Sequence, residues 1–135
     1  MNFKLFTDGG SRGNPGSSAA AFLLFNDNDL IDLGAKFLGS ATNNFAEYNA
    51  LIEGLKLAKK HTDSVACFLD SELVVKQING EYKVSSADIK PLVSKVKELA
   101  KDFSSISFTH VPRAENKHAD KLVNIILDSL ERDNV

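Results

Sequence analysis

The 135-residue chain has one cysteine, no tryptophan, one methionine and three prolines. A lone thiol excludes an internal disulfide framework and any cysteine-rich zinc site. Within the apolar run Val65-Ala66-Cys67-Phe68-Leu69 it reads as a core residue rather than a nucleophile. Met1-Asn2-Phe3-Lys4-Leu5 opens no long apolar stretch and leads to no small-residue cleavage site. Neither a signal peptide nor a membrane span is expected, and a cytoplasmic setting is the default. An excess of positive charge is also missing. Lys and Arg number 16 against 18 Asp and Glu, a net charge of −2 that does not fit a protein coating DNA nonspecifically. No repeat, low-complexity tract or linker divides the chain.

What is present is 43% apolar residues, enough for one self-contained core. Residues 1–135 are expected to form a single domain and a monomer, and opening on a strand and closing after a helix argues for a free-standing protein. Phe3 to Asp8 reads as a strand, Ser18 to Phe25 as a second and Leu30 to Leu38 as a third, the last two joined by Asn26-Asp27-Asn28-Asp29. Gly9, Gly10, Gly13, Pro15 and Gly16 mark the segment between the first two as a tight turn. Short turns between three strands predict an antiparallel meander.

The periodicity then changes. Phe45, Tyr48, Leu51, Ile52, Leu55 and Ala58 recur at helical spacing, with Asn44 and Glu47 placed like a capping box. Val65 to Leu69 is a short strand, and Ser71 to Ile78 a short helix closed by Asn79-Gly80. A stripe from Ile89 to Phe103 predicts a third helix, with Pro91 tolerated in its first turn. Ile106 to His110 is a fifth strand, and Ala119 to Leu130 a last helix. The order β-β-β-α-β-α-α-β-α predicts an α/β fold, a mixed five-stranded sheet with helices on both faces.

Four acids stand near element ends: Asp8, Glu47, Asp70 and Asp120. Ligand sites in open α/β sheets gather beyond the carboxyl ends of strands, where Asp8 and Asp70 would meet if their strands are neighbours. Clustered carboxylates raise one another's pKa values, and a divalent cation removes that penalty. Oxygen ligands suit Mg²⁺ or Mn²⁺, and two such ions can clamp both the attacking water and the leaving oxygen of a phosphodiester. Taken singly, each acid also has an ordinary structural role: Asp8 in a turn, Glu47 in a capping box, Asp70 as a cap, Asp120 near a helix N-terminus.

The surrounding motifs carry more. Thr7-Asp8-Gly9-Gly10-Ser11-Arg12-Gly13-Asn14-Pro15-Gly16 resembles the opening signature of the ribonuclease H type 1 family. Thr42-Asn43-Asn44-Phe45-Ala46-Glu47, Asp70-Ser71-Glu72-Leu73-Val74-Val75 and His110-Val111-Pro112-Arg113-Ala114-Glu115-Asn116-Lys117-His118-Ala119-Asp120 are similar to its later blocks, in family order. The resemblance implies a ribonuclease H-like fold with strand order 3-2-1-4-5. It implies an endoribonuclease that hydrolyses the RNA strand of RNA–DNA hybrids by two-metal-ion catalysis, giving 5′-phosphate and 3′-hydroxyl ends. Asp8, Glu47, Asp70 and Asp120 would be its metal ligands, Asp8 shared between the ions. Arg113 or His110 would be the mobile auxiliary group of the catalytic set, as an arginine or a histidine is in different branches. His118 and His61 read as surface residues of helices.

An RNA–DNA hybrid differs from DNA in the 2′-hydroxyls of one strand, and reading them needs close backbone approach and small polar side chains. Gly9 and Gly10 permit such approach. By the resemblance, Asn14 and Asn44 would contact the hybrid, and Glu72 stands where many members carry a glutamine; a carboxylate cannot donate to a base edge. The basic, tryptophan-containing handle of longer bacterial members is missing: residues 80–87 hold Lys83 alone. Arg12, Lys76, Lys83, Lys90 and Lys117 are then the candidate phosphate contacts, and a small number of them means weaker, less salt-sensitive binding. Three other functions stay open: a related nuclease cutting double-stranded RNA or RNA–DNA junctions, a non-catalytic hybrid-binding module, or a domain derived from a larger polymerase.

Overall fold

The computed structural model describes residues 2–133. Its elements follow the predicted order: β1 (Phe3–Gly13), β2 (Gly16–Asn26), β3 (Asp29–Ala41), α1 (Asn43–Lys59), β4 (Ser64–Leu69), α2 (Glu72–Ile78), α3 (Lys90–Ala100), β5 (Ser105–His110), a 3-10 turn (Arg113–Asn116) and α4 (Lys117–Asp133). The sheet runs β3-β2-β1-β4-β5. β2 is antiparallel to β1 and β3, while β4 and β5 add in parallel. A short hairpin can reverse the chain between β1 and β2, but a parallel strand needs a crossover, and α1 and the α2–α3 pair supply the two crossovers.

Alternation along the strands divides the core. Leu5, Phe22, Leu24, Cys67 and Leu69 pack with Tyr48, Leu51 and Leu55 of α1 and with Val93 and Val96 of α3. On the opposite face, Ala19 and Ala21 meet Val123 and Leu127 of α4. The alanines there let α4 lie close to the sheet. No helix among the described residues is long and apolar enough to cross a membrane.

The first turn lies later than the sequence predicts. β1 does not end at Asp8 but continues through Gly9 and Gly10, pairing with Ala20 and Ala19, and reverses only between Gly13 and Gly16. The glycines at 9 and 10 are strand residues whose missing side chains make room for helices. A Cβ on Gly9 would lie 2.1 Å from the carbonyl carbon of Ala46 and 2.4 Å from the amide nitrogen of Glu47, so the backbone of α1 fills that space. At Gly10 the nearest atom would be Cγ1 of Val123 at 3.2 Å. The turn glycine is Gly13, with φ of +98°.

The start of α1 also differs. Its cap is Thr42, not Asn44: the Thr42 hydroxyl accepts from the amide of Phe45 at 3.2 Å. Two asparagines follow it inside the first turn, so Glu47 falls beyond the capping position and its carboxylate is left for another use.

The Gly9 contact is rigid backbone against backbone. Gly9→Ala is expected to destabilise the fold by about 1–3 kcal/mol, the usual cost of overpacking. Gly10→Ala, facing only a side-chain methyl, should cost less. Urea unfolding midpoints of the two variants check the order.

Candidate active site

Three carboxylates converge at one end of the sheet. Pairing of β1 with β4 stops at Thr7 and Leu69, so Asp8 projects just past the carboxyl end of β4 while β1 continues beside β2. Asp70 is the next residue after Leu69. It does not cap α2: Ser71 does, its hydroxyl accepting from the amide of Val74 at 3.3 Å. Glu47 reaches the same point from α1, carried there by the close packing of Ala46 and Glu47 over Gly9. One ligand oxygen from each of Asp8, Glu47 and Asp70 lies within 4.8 Å of the other two.

Burial and mutual repulsion make this cluster costly. Asp8 is pushed up to about 7, first by loss of water and then by the charge of Asp70. Glu47 is raised well above the ordinary carboxylate range, again first by burial and then by Asp8 and Asp70. The interaction between the two carboxyls lowers Asp8 somewhat and raises Glu47 further. Its Oε2 is buried with no hydrogen-bond partner. An orphaned carboxylate oxygen beside two further acids is the donor set of a hard divalent cation, and the residues fit one.

Asp120 stands apart from this triad. It lines the same cleft of about 430 Å³, with Gly10, Ser11, Arg12, Asn43, Arg113 and Asn124 among the other walls. Its Oδ1 accepts from Arg113 Nη2 at 2.9 Å, a pair that raises the guanidinium pKa further. Arg113 is exposed and sits at the start of the 3-10 turn. His110, the other auxiliary candidate, ends β5 opposite Leu69 and is not among the cleft-lining residues. Glu72 opens α2, exposed, and is paired to Lys76 at 2.8 Å, which holds it below the usual carboxylate range.

The two sequence-predicted asparagines part company. Asn44 is exposed in the first turn of α1. The Asn14 side chain accepts from the amide of Asn43 at 3.0 Å, tying the β1–β2 turn to the start of α1. Asn43 in turn accepts from the amide of Ser11 at 2.9 Å. Arg12 lies in the cleft, bonded to Asp128 at 2.6 Å and to Asn124 at 3.2 Å. Lys76 sits over the Tyr82 ring, 4.9 Å from its centroid, while Lys83, Lys90 and Lys117 are exposed.

Two residues were missed by sequence reasoning. Asn116 is buried and donates to the Thr7 carbonyl at 2.8 Å, which fastens the 3-10 turn and the start of α4 to the strand that carries Asp8. Asn43 joins the glycine turn to α1. Both are polar residues inside the quoted motifs, the only signal that pointed to them.

The raised carboxylates set a pH dependence. Asp8 has a folded pKa of about 7 against an ordinary 3.8, so the folded state binds more protons across that interval. Without a cation, its penalty is absent at low pH, grows as pH rises through the interval and is complete above it. At pH about 8 in EDTA, Asp8→Asn is expected to be more stable than the parent by on the order of 2–4 kcal/mol, with little difference near pH 4. Adding a divalent cation should stabilise the parent far more than the variant. Thermal midpoints at both pH values check the sign.

The reverse transcriptase-like family profile matches residues 6–125. The chain is 41% identical over 125 residues to ribonuclease HI of Halobacterium salinarum, covering 91% of this chain and 63% of that protein. It is 38% identical over 132 residues to the bifunctional protein Rv2228c of Mycobacterium tuberculosis, covering 96% of this chain and 36% of that one. The chain therefore spans less than two thirds of the length of these relatives. The crystal structure of ribonuclease H1 from H. salinarum has a TM-score of 0.91 at 38% identity, over 96% of this chain and 99% of that chain. LC11 ribonuclease H1 in complex with an RNA/DNA hybrid has a TM-score of 0.90 at 32% identity, over 96% and 99%. By sequence along most of its length, and by fold, the chain belongs to the ribonuclease H type 1 family.

Proposed function

We propose that the chain is an endoribonuclease that hydrolyses the RNA strand of RNA–DNA hybrids and leaves 5′-phosphate and 3′-hydroxyl ends. The observation that carries this is the convergence of Asp8, Glu47 and Asp70, with ligand oxygens within 4.8 Å, in an open polar cleft. The family named above supports it, and one relative has been solved with a hybrid bound.

Asp8, Glu47, Asp70 and Asp120 would hold two divalent cations, Mg²⁺ or alternatively Mn²⁺, with Asp8 shared, Glu47 and Asp70 on one side and Asp120 on the other. When bound, such ions polarise a water and neutralise charge at the scissile phosphate. The protein's own residues do the rest. Burial of Asp8 and Glu47 holds the carboxylates in place without bulk water. Asp120 anchors Arg113 before substrate arrives. A guanidinium keeps its proton, so Arg113 supplies positive charge and hydrogen bonds to the phosphate rather than acting as an acid. His110, at the exposed end of β5, is the alternative auxiliary group.

Substrate contacts would come from the backbone at Gly9 and Gly10, from Asn14 and Asn44 at the 2′-hydroxyl side, and from Glu72 at the rim. Arg12, Lys76, Lys83, Lys90 and Lys117 would meet phosphates. A cytoplasmic setting belongs to the same proposal.

A gel assay on labelled hybrid, RNA duplex and single strands tests the function. Cleavage of the hybrid's RNA strand alone, abolished by EDTA, is expected. Cutting of the RNA duplex would favour the related nuclease, and hybrid binding without cleavage a non-catalytic module. Asp70→Asn should leave the fold intact by circular dichroism and lower the cleavage rate at least about a hundredfold, the scale of lost transition-state charge stabilisation. Arg113→Ala should lower kcat by roughly tenfold, and His110→Ala should have a smaller effect; single-turnover rates on the hybrid compare the two.

A further inference from the structure

Away from the cleft, the most apolar exposed element is β3. It is an edge strand, with no described strand on its outer side. Leu30, Ile31, Leu33 and Phe37 are all exposed, Leu33 by 47% and Phe37 by 46%. A long edge strand carrying apolar side chains is a template for pairing with another strand, because its outward N–H and C=O groups lack backbone partners.

The register with β2 sorts the faces of this strand. Leu33, Ala35 and Phe37 pair with Leu23, Ala21 and Ala19, on the side of α4. Asp32 and Lys36 pair with Leu24 and Ala20, on the side of α1, where His61 lies 2.9 Å from Asp32 and Glu53 lies 3.9 Å from Lys36. Both charged side chains remain partly open to solvent. Register irregularities at Leu24/Phe25 and at Ser18/Ala19 bracket the regular stretch between them.

Within that regular stretch, Asp32-Leu33-Gly34-Ala35-Lys36 is complementary to its own reverse about Gly34. In a two-fold antiparallel pair centred there, Asp32 opposes Lys36 and Leu33 opposes Ala35, each contact made twice and all of them between the two register irregularities. Opposed residues must share a face, so the register can change only in a way that keeps that alternation. A shift to the next register on either side sets one of the two charges against Gly34 and leaves neither matched. The centring on Gly34 is the one that matches the charges.

We infer that β3 is the surface through which two copies of this chain associate, edge to edge and antiparallel, joining their sheets across Gly34. The monomer expected from the sequence is then the dilute form. Because β3 runs parallel to β1 within each copy, the two clefts open at opposite ends of the joined sheet and neither obstructs the other.

Sedimentation equilibrium of the full chain from about 1 µM to about 1 mM tests the association. A dimer is expected, weakened about tenfold or more by Asp32→Lys and by Lys36→Asp, each of which sets like charges opposite one another. The combined swap should restore affinity to near the parent's. Amide exchange in residues 32–37 of the parent should slow as concentration rises, a readout that needs no variant. A chain monomeric throughout, a dimer indifferent to both reversals, a swap as weak as the singles, or exchange in β3 that ignores concentration would each overturn the pairing.

Discussion

The approach of the α1 backbone to Gly9 decides where everything else at the active end can lie. With 2.1 Å between a hypothetical Cβ and the Ala46 carbonyl carbon, no side chain is tolerated there without moving the helix. Removing the side chain lets α1 settle directly on β1. Glu47 then stands beside Asp8 rather than a helix diameter away. The same economy recurs at Gly54, where a Cβ would press on Thr7 and Leu5 from the middle of α1. The glycine-rich opening motif is thus a packing device first, and its turn function is confined to Gly13–Gly16.

That proximity has an electrostatic cost. Desolvation is the first cause of the raised pKa at both Asp8 and Glu47, and neighbouring acids add to it. Left alone, burial and mutual repulsion disfavour the charged forms of both groups. Asp120 is relieved in a different way, by a guanidinium from its own turn. Acids that are strained without a cation and satisfied with one couple cation binding to stability, so the feature that makes the site useful also destabilises the bare protein.

Structural anchoring and charge are divided between different polar residues. Asn14, Asn43, Asn116 and Ser11 spend their hydrogen bonds within the fold, joining the β1–β2 turn, the end of β3 and the start of α4 to β1. Arg12 and Lys76 are likewise engaged with acids. Phosphates would have to displace those partners, which agrees with a chain that lacks a dedicated basic handle and relies on a few contacts.

The helical stripes and apolar strands were legible because periodicity reports burial directly, and the motif order pointed to the four acids. The wrong expectations were local and had a common origin. Asn44 looked like a cap because it precedes Glu47 by three, but Thr42 has the extended backbone and a free hydroxyl, and took the position. Asp8 looked like the end of its strand because glycines follow it, but those glycines are paired to alanines across the sheet. The sequence by itself determined which residues carry charge, which faces are apolar and the order of the elements. Only the tertiary structure decided that three acids meet while Asp120 pairs with Arg113, because those distances are set by how closely helices pack on strands, a property of facing surfaces that spacing along one chain does not contain.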